Sequence, residues 1–469
     1  MNPKILPALL RALAAIGLLA IAGLASARAA EPCRVVVTER GSGWPVSLVE
    51  LRTTHNVSFY TDNAGVIALD APEIMGVEDW FYVNSPGYEM PADGFGYRGV
   101  RLRPEPGRTL KVEVVRTSLA RRIGRLTGAG LFAESQKTGA EPGWREAGVW
   151  GCDSLQSAIH GDRLFWLWGD TTLAHYPLGV FDSCCATTPL KPFASFEPPL
   201  RPAFDYFRDK DGRPRGVAKM AGSGPTWLSG MVDLPDQSGQ PHLVASYAKI
   251  KGPLEAYERG LCVWNEAAAR FDHLKTLWTK TDASPRAPVL PDGHAAHWTD
   301  EAGHHWVLFG NPLPNLRCPA TFEALQDPAQ WQRLTPSPAI PRIGDGAPVK
   351  PHSGSIAWNG WRKRWVTVFM ESRGKPSVFG EIWYAEAPAP EGPWAGAVKV
   401  LSHANHTFYN PRLHPELTPS DSPILLFEGT YTSEFADHAP PTPRYDYNQI
   451  LYRIDLDDPA FQAALAGKH

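Results

Sequence analysis

The sequence predicts an all-β chain: a five-bladed β-propeller preceded by a small β-sandwich. Three observations carry that expectation. Gly (42), Pro (45) and Trp (17) are abundant while charged residues fill only 20% of the 469 positions, the profile of short strands joined by many turns. From Gly148 onward a phrase recurs: strand, polar turn, apolar strand ending in a polar residue, third strand. Its second strands read LFWLWGDT, HLVASYAKI, HWVLFGNP, RWVTVFMES and ILLFEGTYT. Their terminal polar residues, Asp170, Tyr247, Asn311, Glu371 and Glu428, fall about 57 to 77 residues apart, a period that suits one propeller blade with decorated loops. Two packed sandwiches are the competing fold, and they would not give a fivefold phrase.

Residues 1–29 read as a signal peptide. Lys4 and Arg11 flank and open an Ala/Leu/Ile-rich core, and Ala27-Arg28-Ala29 fits a small-x-small cleavage site. That core is short for a membrane span, and no later stretch is long and apolar enough for one. The expectation is an exported protein, periplasmic or extracellular, with no membrane span after signal removal. The formal charge of −3 falls to about −6 when Lys4, Arg11 and Arg28 leave, so the chain lacks the basic surface that a nucleic-acid partner needs. Six cysteines follow the cleavage site; export permits disulfides, but spacing gives no pairing.

Residues 30–116 read as the sandwich, with strands CRVVVTE, PVSLVELRT, VSFYTDNAG, WFYVNSPGY and LKVEVVR. The phrases Trp44-Pro45-Val46 through Val49-Glu50-Leu51, Thr61-Asp62-Asn63-Ala64-Gly65 and Ser85-Pro86-Gly87-Tyr88 resemble the carboxypeptidase regulatory-like, transthyretin-like sandwiches. That resemblance implies a structural or positioning role. Residues 117–147 read as a linker with a short helix near Ser118–Leu126, and residues 148–469 as the propeller.

The stretch Gly151 to Thr171, GCDSLQSAIHGDRLFWLWGDT, organises the larger domain. An apolar run through Leu155 and Ile159 reaches the polar turn His160-Gly161-Asp162-Arg163, and a second run ends at Gly169-Asp170. Antiparallel pairing places Asp153 and Asp170 near one sheet edge, with Trp166 or Trp168 alongside. In a propeller the first-strand starts, here Asp153, Trp227, His294, His352 and Asn410, share a face with the second-strand ends. Acids, aromatics and imidazoles thereby converge on one funnel, as a polar ligand requires.

This grammar, with an acid opening the first inner strand, resembles the bacterial propeller glycoside hydrolases of the arabinanase, xylosidase and fructosidase type. The phrase from Asp153 to Gly169-Asp170-Thr171 is also similar to a propeller family that includes endo-D-arabinanases. The first resemblance implies a general base or nucleophile at Asp153; the second implies two first-blade acids, at Asp153 and Asp170. One departure stands out: the arabinanase type has an Asp from the second blade and a Glu from the third, where this chain offers Tyr247 and Asn311.

Glycoside hydrolysis needs one carboxyl group to protonate the leaving oxygen and another to activate water or attack the sugar. The expected pair is Asp153 as base or nucleophile and Asp170 as acid, with Glu381 and Glu428 as further catalytic candidates because apolar strands flank them. Candidates for binding a carbohydrate are Trp168, Tyr176, Trp227, His294, His352, Glu371, Tyr409, Asn410, Tyr431, Asp446 and Tyr447. Arg373 and Arg444 are candidates for a uronate carboxylate. His294, His297, His304 and His305 lack the spacing of a zinc site, since adjacent strand residues face opposite ways. No metal site and no cofactor is expected; several propellers carry a structural Ca²⁺, but no Asp-rich loop specifies one here. No phosphate loop and no nucleophile elbow occurs. The rival readings are a non-catalytic propeller that binds glycans or a protein, and a lyase built on His352 and Tyr409.

Overall fold

The computed structural model describes residues 31–467 apart from 181, 191–196, 253 and 437. The expected signal peptide lies outside these residues. The chain is nearly all β, with only short helices such as Ala133–Lys137, Phe322–Gln326 and Pro459–Leu465. Among the described residues no helix is long and apolar enough to cross a membrane.

The N-terminal region forms two four-stranded sheets. One contains Val66–Leu69, Cys33–Glu39, Thr109–Arg116 and Tyr88–Glu89; the other contains Ser58–Tyr60, Glu50–Thr53, Asp79–Asn84 and Gly99–Leu102. Alternation does the folding work. Cys33, Val35 and Val37 point inward from the first sheet to meet Leu51, Phe81 and Val83 from the second, while the intervening residues stay partly exposed.

Five four-stranded antiparallel sheets follow. Their first strands are Gln156–His160, Thr226–Pro235, His294–Thr299, Pro351–Asn359 and Thr407–Leu413. Each first strand packs beside the next. The fifth returns to the first through Arg412, whose Nη2 donates to Ser157 O at 2.9 Å, and Asn410, whose Nδ2 donates to Ser154 Oγ at 2.7 Å. Apolar clusters fill the seams between sheets. Adjacent residues Cys184 and Cys185 serve two different seams because a strand turns consecutive side chains to opposite faces. All six cysteines are buried and unpaired.

The segment expected to be a linker with a helix near Ser118–Leu126 is instead a strand over Arg121–Arg125. It pairs antiparallel with Asn448–Asp455 and supplies the outer strand of the fifth sheet. Two arginines within it hid its burial. Arg122 is 1% exposed because its guanidinium donates to Ser47 O (2.7 Å), Ser85 Oγ (3.0 Å) and the Tyr452 hydroxyl (3.1 Å). The two regions are thus joined by a buried, fully bonded cation.

Candidate active site

Two short ladders build the site. Val149–Cys152 pairs with Thr171–Leu173, and Gln156–His160 pairs with Arg163–Trp168 around a two-residue turn whose Gly161 has φ +62°. Between the ladders the backbones of Asp153 and Asp170 lie side by side. Asp153 N donates to Asp170 O at 3.2 Å, and Gly169 N donates to Asp153 O at 2.8 Å. A Cβ at Gly169 would stand 2.3 Å from Asp153 Oδ1, so only glycine lets this backbone pass so near the carboxylate.

The two acids line a cavity of about 730 Å³ together with Trp227, Tyr409, Asn410 and Tyr447. Tyr409 donates its hydroxyl to Asp153 Oδ2 at 2.8 Å, and the Trp227 indole donates to Asp170 Oδ1 at 3.1 Å. The Tyr447 hydroxyl donates to Asp170 O at 3.3 Å. Five lining residues, Ser154, Leu254, Asn410, Phe435 and Tyr447, hold φ between +51° and +63°, the left-handed region that side chains rarely adopt. Such strain persists only where surrounding contacts over-determine the backbone, and it concentrates at functional sites.

Burial raises both acids. Asp153 is pushed up to about 7, chiefly by burial and further by the Asp170 charge; the Tyr409 hydroxyl, donating to the ionised form, and the neighbouring Tyr447 hydroxyl oppose the rise. Asp170 is pushed up to about 6, again mainly by burial, with Glu434 and Asp182 adding to the rise and the Trp227 N–H opposing it. A pair of this kind retains a proton near neutrality.

The remaining sequence candidates stand elsewhere. His294 lines an adjoining cavity of about 280 Å³ that shares Ser154, Ser229, Asp292 and Asn410 with the larger one. Its Nδ1 is buried without a partner among the described residues, and burial depresses its pKa to about 3. Trp168 is 1% exposed and packs against Phe204 and Tyr206 in the seam beside the fifth sheet. Tyr431 is also core, stacked on His406. Tyr176 opens the strand Tyr176–Val180, which pairs with Thr171–Leu173. Glu428 lies in the middle of Ile424–Thr432, not at its end, and faces His414 at 3.3 Å. Glu381 is fully buried by bonds from Lys399 Nζ (2.6 Å) and Ser402 Oγ (2.8 Å).

Glu371 accepts from the Trp383 indole at 2.9 Å, and His352 packs against Phe379. Asp446 accepts from Ser433 N at 2.6 Å, and Arg444 pairs with Glu134. Arg373 sits in the left-handed turn after the fourth sheet's second strand. None of these lines the larger cavity, so Glu381 and Glu428 are corrected to structural ion partners, and the arginines are removed from substrate binding.

Sequence reasoning missed Asp292, Arg259 and Glu434. Asp292 accepts from the Ser229 hydroxyl and from Arg259 Nη1 at 2.5 Å. It sits two residues before His294, at the strand start that the sequence singles out, and lines both cavities, whereas His294 lines the adjoining one. Glu434 follows the true end of the fifth sheet's second strand, which runs to Thr432. Burial and Asp446 raise its pKa, and among the described residues its carboxylate has no hydrogen-bond donor. Among the described residues no group of three or more His, Cys, Asp or Glu side chains could hold a metal ion.

No family model matches the sequence, and no curated protein matches it. Solved structures do overlap it loosely. An exo-1,5-α-L-arabinanase from a bovine ruminal metagenomic library is 9% identical, covering 66% of this chain and 94% of that one at a TM-score of 0.39. A GH43_1 enzyme from Xanthomonas citri is 8% identical, covering 65% and 87% at 0.36. A mutant α-L-arabinanase of Cellvibrio cellulosa is 11% identical, covering 64% and 90% at 0.36. Overlaps this loose transfer neither a residue nor a substrate, so the chemistry of the site is read from its own atoms.

Proposed function

We propose that the protein is an exported glycoside hydrolase that uses Asp153 and Asp170 as its carboxyl pair. The observation that carries this reading is the pair itself: two acids joined through their backbones across one hairpin and lining one aromatic-lined cavity, both raised toward neutrality. Asp153, the more deeply enclosed carboxyl of the two, is assigned as the general acid and Asp170 as the base or nucleophile. This order reverses the roles expected from sequence, because Asp153 is the more deeply buried.

Trp227, Tyr247, Tyr409, Phe435 and Tyr447 supply flat apolar faces for a sugar, and Ser229 and Asn410 supply hydroxyl partners. The cation in the lining is Arg259, already held by Asp292, which favours an uncharged sugar over a uronate. The test is hydrolysis of a glycan panel by the protein beginning after residue 29, beside Asp153→Asn and Asp170→Asn. Sugar release that each substitution cuts by about 10³-fold or more, with folding retained, supports the pair. Release that survives both moves the chemistry elsewhere, and binding without release favours the non-catalytic propeller.

A further inference from the structure

The segment that delivers Tyr447 to the acids is fastened from behind by the N-terminal domain. Residues 442–448 form a tight turn, in which Tyr445 N and Asp446 N both donate to Thr442 O, at 3.0 and 2.9 Å. Two of its residues, Arg444 (φ +66°) and Tyr447 (φ +59°), are left-handed. Tyr447 O accepts from Cys152 N at 2.9 Å, the residue before Asp153, and a Cβ at Gly151 would come within 2.7 Å of that same Tyr447 oxygen. The turn is therefore locked against the acid hairpin on one side.

On its other side Tyr445, 1% exposed, bridges to the N-terminal domain. Its hydroxyl donates to Thr61 O at 2.6 Å and accepts from Leu48 N at 3.0 Å. Two residues on, Asn63 makes a reciprocal pair with Arg125: Arg125 N donates to Asn63 Oδ1 and Asn63 Nδ2 donates to Arg125 O, both at 2.9 Å. The Arg125 guanidinium lies 4.8 Å over the Tyr445 ring and bonds Arg444 O. Arg444 itself pairs with Glu134, whose other oxygen accepts from Ala68 N at 3.0 Å. The left-handed step at Arg444 is thus bonded to the strand Arg121–Arg125 through Arg125, and the next residue, Tyr445, to the N-terminal domain.

We propose that the N-terminal domain is a positioning element of the active site, and that Tyr445 and Asn63 are the positioning residues that hold Tyr447 at the acid pair, where its hydroxyl donates to Asp170 O beside Asp153. The proposal rests on the glycosidase reading only for its kinetic consequence. Tyr445→Phe removes the two bridging bonds and keeps the ring in the core. Asn63→Ala releases Arg125. Both let the turn relax and withdraw the Tyr447 hydroxyl from Asp170 O and so from beside Asp153, leaving Tyr409 and Asp170 as the groups next to the Asp153 carboxyl.

The experiment follows the Asp153 carboxyl directly, by NMR titration of protein labelled with ¹³Cγ-aspartate and assigned with Asp153→Asn. Arg116→Gln is the control, since Arg116 also fastens the domain, to Asp458 at 2.7 Å, with no bond to the turn. The expected result is an Asp153 titration moved upward by about half a unit or more in Tyr445→Phe and Asn63→Ala, and unmoved in Arg116→Gln. An unmoved titration in the first two variants, or an equal shift in all three, overturns the proposal. Should Tyr445→Phe fail to fold, Asn63→Ala gives the same reading. On a hydrolysed glycan, kcat should fall about tenfold in both variants with KM changed less than threefold. Absence of hydrolysis by the parent protein sinks the glycosidase reading and leaves the titration result standing.

Discussion

Asp153 and Asp170 bind protons more tightly in the folded protein than in the unfolded chain, where an aspartate titrates near 4. Stability from these groups is therefore greatest at low pH and declines as pH rises from about 4 through 7. Asp153→Asn removes the buried charge, so it should melt above the parent protein at pH 8 and close to it at pH 4.5 by calorimetry. A melting difference that does not change with pH would contradict the assignment. Gly169 matters at the same scale. In Gly169→Ala the new methyl meets the Asp153 carboxylate, and displacement of the acid by about 1 Å should lower kcat/KM about 10²-fold while the fold persists.

At the scale of elements, the acids outside the cavity separate structure from chemistry. Glu381 begins the fourth sheet's third strand and holds Lys399, whose side chain is 36% exposed, so the pair is partly screened. Glu381→Gln should cost about 1–2 kcal/mol in denaturant unfolding and leave kcat within about twofold. Hairpin logic made Asp153 and Asp170 legible in the sequence, because a two-residue turn fixes which residues meet across the ladder. The rule of polar strand ends failed where strands ran on. Glu428 reads as a strand end in the sequence, yet the strand continues four residues to Thr432 and buries it. Arg121–Arg125 hid as a linker because its charges are neutralised by backbone carbonyls and hydroxyls from a region distant in sequence, which no local pattern encodes.

Across the whole molecule, the ring of sheets is closed by a strand that precedes it in the chain. Residues 121–125 complete the fifth sheet, and Arg122 ties them to the N-terminal sheets. A chain truncated before residue 148 should therefore not yield a stable propeller: it loses the outer strand and exposes Ile450 and Tyr452, both fully buried. Circular dichroism and size exclusion would read this as loss of cooperative unfolding; a cooperatively melting, monodisperse fragment would refute it. The cavity, by contrast, depends on loops from several sheets, and its Glu434 and Asp292 were not legible because their approach is set by the closure of the ring.

The central claim is that Asp153 delivers the proton and Asp170 does not. The measurement that tests it most directly compares two substrates with one glycone, a natural linkage and an aryl glycoside whose leaving group needs no protonation, on Asp153→Asn and Asp170→Asn. If Asp153 delivers the proton, the activated substrate restores most of the turnover lost by Asp153→Asn and little of that lost by Asp170→Asn. Restoration of Asp170→Asn alone, or of neither variant, would contradict it.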